Sequence, residues 1–373
     1  MEISGRVRLG RRTKELAPRL KPREIAVIAH EDLDAMGALG LIEAQVAAVI
    51  NACCAVTGRY PNQGPKLLLE AGIPQLDNVG EEVFALLRDG DVATIRGRQI
   101  LFRGQVIATG RVLTEHAVQE YMRTAYLNLN DELARFVDNT LEYAQREKDI
   151  ILGRLTFPEL RVDWEGRPVV VAVRGLGYKE DLEALSAYIR EVQPILIGVD
   201  GGADALLSFG HRPHVIVGDM DSVSDEALRS GAELVAHAYT SGECPGRSRL
   251  ERLGVPFHVL PAPGTSEDVA LLLAHEKGAE LIVLVGSHSN IIDFLEKGRR
   301  GMASTLLVRM KIGPILLDAK GVSKLYKAGS DSQVLPLVVA VTVAIAAFLA
   351  LASPWRQYLR LLWLQLRVLV GGS

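Results

Sequence analysis

Three aspartates carry the chemistry that this sequence suggests. In the stretch 195–222, ILIGVDGGADALLSFGHRPHVIVGDMDS, Asp200 follows the apolar run Ile195–Val199, and Asp219 and Asp221 follow the run Val215–Val217. Each run has the length and β-branched content of a buried strand. Each ends in a glycine-flanked acidic turn, Asp200-Gly201-Gly202-Ala203 and Gly218-Asp219-Met220-Asp221-Ser222. In an open parallel sheet such turns lie at the carboxyl ends of the strands, where ligands bind. Alternate residues at a strand end point to one side, so Asp219 and Asp221 are expected together. Clustered carboxylates repel one another unless a cation sits between them, and hard oxygen ligands suit Mg²⁺. The natural companion of that ion is a nucleotide's polyphosphate. Asp200, Asp219 and Asp221 are therefore predicted metal ligands. Gly201, Gly202 and Gly218 are the places where backbone approaches phosphate, because glycine carries no Cβ.

The same turn also reads as a helix start capped by Ser222 or Ser224. A fourth carboxylate, Asp268, stands in Gly264-Thr265-Ser266-Glu267-Asp268. It either faces the metal or belongs, with Glu267, to the first turn of a helix capped by Thr265 or Ser266. Ser222 and Thr265 join the predicted nucleotide contacts, and Asp268 joins the predicted catalytic set with the three aspartates.

Other stretches admit two readings. Arg174-Gly175-Leu176-Gly177 after a strand is a phosphate loop or a plain strand-to-helix turn. Lys297, Arg299 and Arg300 neutralise a polyphosphate or sit at a solvated helix end. His30-Glu31-Asp32-Leu33-Asp34 binds a metal or phosphate, or is a charged surface turn. Cys53, Cys54 and Cys244 have no zinc-site spacing and fit a reducing compartment. The histidines show no metal-ligand spacing, and no Ser-His-Asp arrangement is recognisable.

These residues need elements to position them. The chain has 373 residues, enough for two domains and extras. Its net charge of −3 and 5% aromatic content give neither a basic field nor a base-stacking surface, which excludes nucleic acid as a partner. Ile25–Ala29 reads as a strand, Ala35–Ile50 as helix-like, Val79–Leu87 as a short helix, and Val92–Ile95 with Ile100–Phe102 as a hairpin. Thr114–Lys148 carries one apolar stripe through Val118, Met122, Ala125, Leu129, Leu133 and Phe136, the period of a helix. Asn128, Asn130 and Asp131 kink or split it. Its length suits an interdomain strut that also dimerises. From Pro168, strand and helix alternate: strands at Val169–Val173, Ile195–Val199, Val215–Val217, Phe257–Leu260, Leu281–Val285 and Ile312–Leu317, helices at Lys179–Val192 and Ser266–Lys277. This alternation predicts a doubly wound parallel sheet.

The arginine-bearing N-terminus has no apolar segment behind it and is not a signal peptide. Val334–Ala352, VLPLVVAVTVAIAAFLALA, is uncharged and has no polar stripe. A spanning helix needs about 20 apolar residues, so this segment is predicted to be transmembrane. Trp355–Val370 places Arg356, Arg360 and Arg367 near one face and lies on the membrane surface or forms a poor second span.

The set DGGA at 200–203, GDMDS at 218–222 and TSED at 265–268 resembles the thiamin pyrophosphokinase catalytic domain. That resemblance implies ATP, Mg²⁺ held by such aspartates, and transfer of a diphosphate to an alcohol. It covers about residues 168–320. The related pterin diphosphokinases are similar at Ala236-His237-Ala238. Gly286-Ser287-His288-Ser289-Asn290 replaces the family's later Gly-Gly-Arg-x-Asp-His segment, and the C-terminal β-sandwich that helps bind thiamin has no counterpart. Over nearly the whole chain, Asn51–Pro65, Ala71–Asp77, Ile197–Ser224 and Gly264–Leu273 resemble the SteA-type cytokinetic ring proteins of bacteria, which implies a role in cell division and a division-protein partner.

The resulting expectation is an α/β chain in five parts: an N-terminal α/β domain (1–113), a helical connector (114–152), a pyrophosphokinase-like nucleotide-binding domain (153–330), a transmembrane helix (334–352) and an amphipathic tail (355–373). It is expected at the cell membrane, single-pass, with its bulk cytoplasmic, as a homodimer that binds Mg²⁺ and ATP. Diphosphate transfer from ATP to a small thiamin- or pterin-like alcohol is the alternative to binding without turnover.

Overall fold

The computed structural model describes residues 2–152, 155–287, 291–296, 299, 301–325, 341–343, 345 and 355–370. The chain divides into two units, Met1–Ser323 and Lys324–Ser373. The first unit holds two sheets. The strands of the first are β1 (Glu2–Leu9), β2 (Ile25–Ile28), β3 (Ala48–Asn51), β4 (Gln75–Asp77), β5 (Val92–Arg96), β6 (Gln99–Phe102), β7 (Gln105–Thr109) and β8 (Arg111–Val112), in the order β7-β6-β5-β1-β2-β3-β4-β8. β1 to β4 pair in parallel, and β5 to β7 form an antiparallel meander on β1.

β1 is missing from the sequence reading, which saw only its arginines. Ile3, Val7 and Leu9 alternate with the exposed Glu2, Ser4 and Arg6, the period-2 pattern of a strand with one covered face. The helix-like stretch 35–50 is corrected. Helix α1 spans Ala35–Glu43, capped by the Asp34 carboxylate on the Gly37 N–H, and the chain then turns into β3. The short helix read at Val79–Leu87 is confined to Val83–Leu86. Helix α2 (Gly64–Glu70) follows the loop after β3.

Helix α3 spans Glu115–Glu147, with Thr114 accepting the Ala117 N–H as its cap. It runs unbroken through Asn128, Asn130 and Asp131. The Asn128 amide donates to the Gly58 carbonyl at 2.9 Å, so it is engaged with a loop of the first sheet and not with its own helix. Farther along, Phe136 packs on Phe294 with ring centroids 6.2 Å apart. Thr140 Oγ1 accepts the Met302 N–H. The helix thus contacts a loop of the first sheet through Asn128 and, farther along, Phe294 of the helix at Ile291–Glu296 and the Met302 backbone.

The second sheet is all parallel: β9 (Pro168–Val173), β10 (Ile195–Val199), β11 (Val215–Gly218), β12 (Glu233–Ala238), β13 (Phe257–Pro261), β14 (Leu281–Val285) and β15 (Leu316–Asp318), in the order β13-β12-β11-β10-β9-β14-β15. Ile312 ends a helix and does not begin the last strand, which corrects the reading at 312–317. Both faces are covered. Val169, Val171, Ile195, Ile197, Val215 and Val217 lie in one core with helices α6 (Ser266–Glu276) and α8 (Ala303–Ile312). Val170, Ala172 and Leu196 lie in another with α4 (Tyr178–Val192) and α5 (Gly202–Ser208). Helix α7 (Ile291–Glu296) lies between β14 and α8 in sequence. Each buried valine or isoleucine contributes ~1.5–3 kcal/mol. The two-sided strands therefore carry the stability, and the turns at their ends are free to bear polar groups.

In the second unit, helix α9 spans Trp355–Val370. The transmembrane segment read at Val334–Ala352 lies almost wholly outside the described residues. Among the described residues no helix is long and apolar enough to cross a membrane. Lys297, Arg300 and His288–Asn290 also lie outside them.

Candidate functional site

β10 and β11 are neighbours in register, with Val199 beside Val217, so Asp200 emerges next to Gly218 and Asp219. Asp200 has φ +47 and Met220 φ +66, left-handed conformations that aspartate tolerates and methionine rarely adopts. The twist at Asp200 turns its carboxylate back across the end of β11. There Oδ1 accepts the Met220 N–H at 3.3 Å, and the carboxyl meets those of Asp219 and the hydroxyl of Ser266. Burial, and next the charge of Asp219, push the Asp200 carboxyl up to about 7. Asp221 is exposed, and its N–H donates to Asp219 Oδ1 at 3.0 Å. Of the three predicted ligands, two are brought together and the third stands at the rim. Among the described residues, no three histidine, cysteine or acidic side chains are grouped to hold a metal.

The glycines divide by role. A Cβ on Gly218 would lie 1.8 Å from Asp200 Oδ1, so this glycine makes room for the carboxylate. A Cβ on Gly202 would lie 1.9 Å from the Ala172 carbonyl oxygen, so that glycine lets α5 pack against β9. Gly201 faces the Arg174 side chain, with its hypothetical Cβ 3.2 Å from Arg174 Cδ. Arg174, in the turn after β9, thus runs its aliphatic stem past the first glycine of the acidic turn. Ser222 is exposed next to Asp221.

Asp268 is 1% exposed and forms a capping box with Thr265. Its Oδ2 accepts the Thr265 N–H at 3.1 Å and the Thr305 hydroxyl at 3.2 Å, and burial raises its carboxyl above the usual range. The group from α6 that reaches Asp200 is Ser266, which sequence reading had only as an alternative cap. Ser266 Oγ also bonds His237 Nδ1 at 3.2 Å, while His237 Nε2 faces the Ala262 carbonyl at 2.9 Å. Arg249, unremarked in the sequence, holds the acidic turn from outside. It donates to the carbonyls of Met220 and Val223 and to Asp225 Oδ1. A cavity of about 460 Å³ adjoins Thr265 and is lined by Tyr143, Glu147, Arg299, Ser304 and Thr305.

The acidic turn of the first sheet has a structural use. Asp32, 5% exposed, accepts the Thr57 N–H and hydroxyl, both at 2.8 Å. Asp77, fully buried, accepts from the Ala55 N–H at 2.7 Å and from Arg111 at 2.6 Å. The Asn62 amide donates to the carbonyls of Leu33 and Ala55. The connection between β3 and α2 is thus a loop stapled down by side chains remote in sequence.

Glu296, from α7, docks on this same region and accepts the N–H groups of Gln63 and Ala35. Burial, with further repulsion from Asp34 and Asp293, pushes its carboxyl up to about 7. A carboxyl raised in the folded state holds its proton longer than in the unfolded chain, so stability falls as pH rises from the ordinary glutamate range to about 7. Urea unfolding of the chain and of Glu296→Gln at pH 5 and pH 8 checks this. The variant is expected to be more stable than the wild type by about 2 kcal/mol at pH 8, with the gap closing at pH 5.

Residues 320–370 match the family of the SteA-like C-terminal domain, and the SteA-type resemblance read in the sequence is met there. Among solved structures, thiamine pyrophosphokinase from Bacillus subtilis is similar at 23% identity, over 40% of this chain and 60% of that one, with a TM-score of 0.26. A 3-isopropylmalate dehydratase from Methanocaldococcus jannaschii is similar at 12% identity, over 36% of this chain and 98% of that one, with a TM-score of 0.22. No curated protein matches the chain.

Proposed function

We propose that this chain is a membrane-anchored, Mg-ATP-binding protein of bacterial cell division, with Asp200 and Asp219 as the metal-binding pair. The observation that carries the reading is the convergence of two carboxylates from adjacent strand ends, one of them raised to about 7. The donor set fits Mg²⁺, which takes one or two carboxylates and completes its octahedron with phosphate oxygens and water. Asp200 and Asp219 would hold the ion, which would supply positive charge against the phosphates. Ser266 and the Met220 N–H orient Asp200, Arg249 fixes the turn that bears Asp219, and Arg174 adds positive charge for a phosphate. Asp221 acts at the rim through water. The apolar segment Val334–Ala352 anchors the chain with its bulk on the cytoplasmic side, and a second copy pairs through the exposed Leu127, Val137 and Leu141 of α3.

The second reading, diphosphate transfer to a small alcohol, is favoured by the 460 Å³ cavity beside Thr265, which is of small-ligand size. One experiment covers both. Calorimetry with Mg-ATP is expected to show binding by the wild type, at least tenfold weaker binding by Asp219→Ala, and a smaller loss for Asp221→Ala. No binding by the wild type, or equal binding by Asp219→Ala, overturns the site. AMP formed from ATP with a candidate alcohol, and lost in Asp219→Ala, decides for transfer.

A further inference from the structure

α9 presents large apolar side chains to the outside. Leu361, Leu362, Trp363, Leu364 and Leu366 are each 50% exposed or more, as is Tyr358. Tyr358, Leu362 and Leu366 fall on one arc of the helix, and an exposed apolar arc of this kind marks a binding face. Its 16 residues rise about 24 Å, short of the ~30 Å hydrocarbon core of a bilayer. At 100° per residue, Arg356, Arg360 and Arg367 fall within about 40° of one another, opposite the arc of Tyr358, Leu362 and Leu366. The segment contains neither aspartate nor glutamate. Trp363 sits on the border between the two arcs, and the Arg367 guanidinium lies 5.0 Å from its ring. Tryptophan at such a border suits the headgroup level of a membrane, where one edge is apolar and the other wet. A water-soluble partner would have to cover the leucines and also supply acids for three arginines on the opposite edge. An anionic lipid surface does both at once, because acyl chains and phosphates lie at different depths along one normal.

We propose that α9 lies in the plane of an anionic membrane surface, with its leucine arc toward the acyl chains and Arg356, Arg360 and Arg367 among lipid phosphates. This goes beyond the anchor at 334–352 and does not depend on the nucleotide site. In the full chain, Trp164→Phe leaves Trp355 and Trp363 as the only tryptophans. That protein is reconstituted in vesicles of phosphatidylcholine alone or mixed with phosphatidylglycerol, and its emission is quenched by lipids brominated at shallow or deep acyl positions. The expected result in phosphatidylglycerol vesicles is blue-shifted emission quenched most by shallow bromines. Charge reversal at all three arginines (Arg356→Glu, Arg360→Glu, Arg367→Glu) is expected to cut that quenching at least twofold. Strongest quenching by deep bromines means a second span and overturns the proposal, as does emission typical of water-exposed tryptophan. Quenching unchanged by charge reversal overturns the role of the arginines. Alkaline carbonate extraction of the same vesicles scores the anchor separately, since a spanning segment resists it and a surface helix does not.

Discussion

Asp200→Asn is expected to make the ligand-free protein more stable while weakening Mg-ATP binding at least tenfold. The wild-type carboxylate is only partly exposed, beside Asp219, and its raised proton affinity measures the cost of charging it there. Asparagine removes that charge and keeps the geometry. It tolerates the left-handed backbone at φ +47, its carbonyl oxygen still accepts the Met220 N–H, and its amide donates to Asp219. The sign with pH follows. Asp200 is raised in the folded state, so the wild type loses stability as pH climbs from the ordinary aspartate range to about 7, and the variant lacks that loss. The gain should be near zero at pH 4 and reach about 2 kcal/mol at pH 8. Urea midpoints at the two pH values, and calorimetry with Mg-ATP at the higher one, are the measurements. A variant less stable than the wild type at pH 8 would mean that the acidic pair is held together by favourable contacts and is not poised for a cation.

The two glycines after Asp200 are expected to respond very unequally to alanine. Gly202→Ala should cost about 3 kcal/mol or more and lower the yield of folded protein. Its methyl would collide with the Ala172 carbonyl, which is backbone in a central strand and has no rotamer to change. Gly201→Ala should cost under about 1 kcal/mol, because its φ of −60 suits alanine and its methyl meets only the flexible Arg174 side chain. Its effect should appear in nucleotide affinity, through displacement of Arg174. Thermal midpoints and Mg-ATP titrations of the two variants separate packing from binding. Equal thermal midpoints would show that α5 can shift off β9, against the close approach seen between them.

The local signals in the sequence were legible because their causes are local. Buried β-branched runs give β9, β10, β11 and β14 within a residue or so, and the apolar stripe gives α3 within a residue at each end. The acidic turns fall at strand ends as read. β1 is marked by the alternation of Ile3, Val7 and Leu9, but Gly5 interrupts the apolar face, so its period-2 signal is weak. The short strands β4, β8 and β15 carry two or three residues each, too few for periodicity to register.

What each acid does was decided only by tertiary structure. Asp200, Asp219, Asp221 and Asp268 are equivalent candidates on spacing alone. Asp268 Oδ2 is taken by a hydroxyl from α8, Thr305, and by the N–H of its own cap residue. Asp221 is left in water, while the register of β10 on β11 presses Asp200 against Asp219 over Gly218. Asp32 and Asp77 are committed to a loop whose staples lie 25 and 22 residues away. Sequence establishes which residue types are present and which face of an element they share. The charge a carboxylate bears and the partners left to it depend on desolvation and on groups brought in by other elements, and those distances exist only in the folded chain.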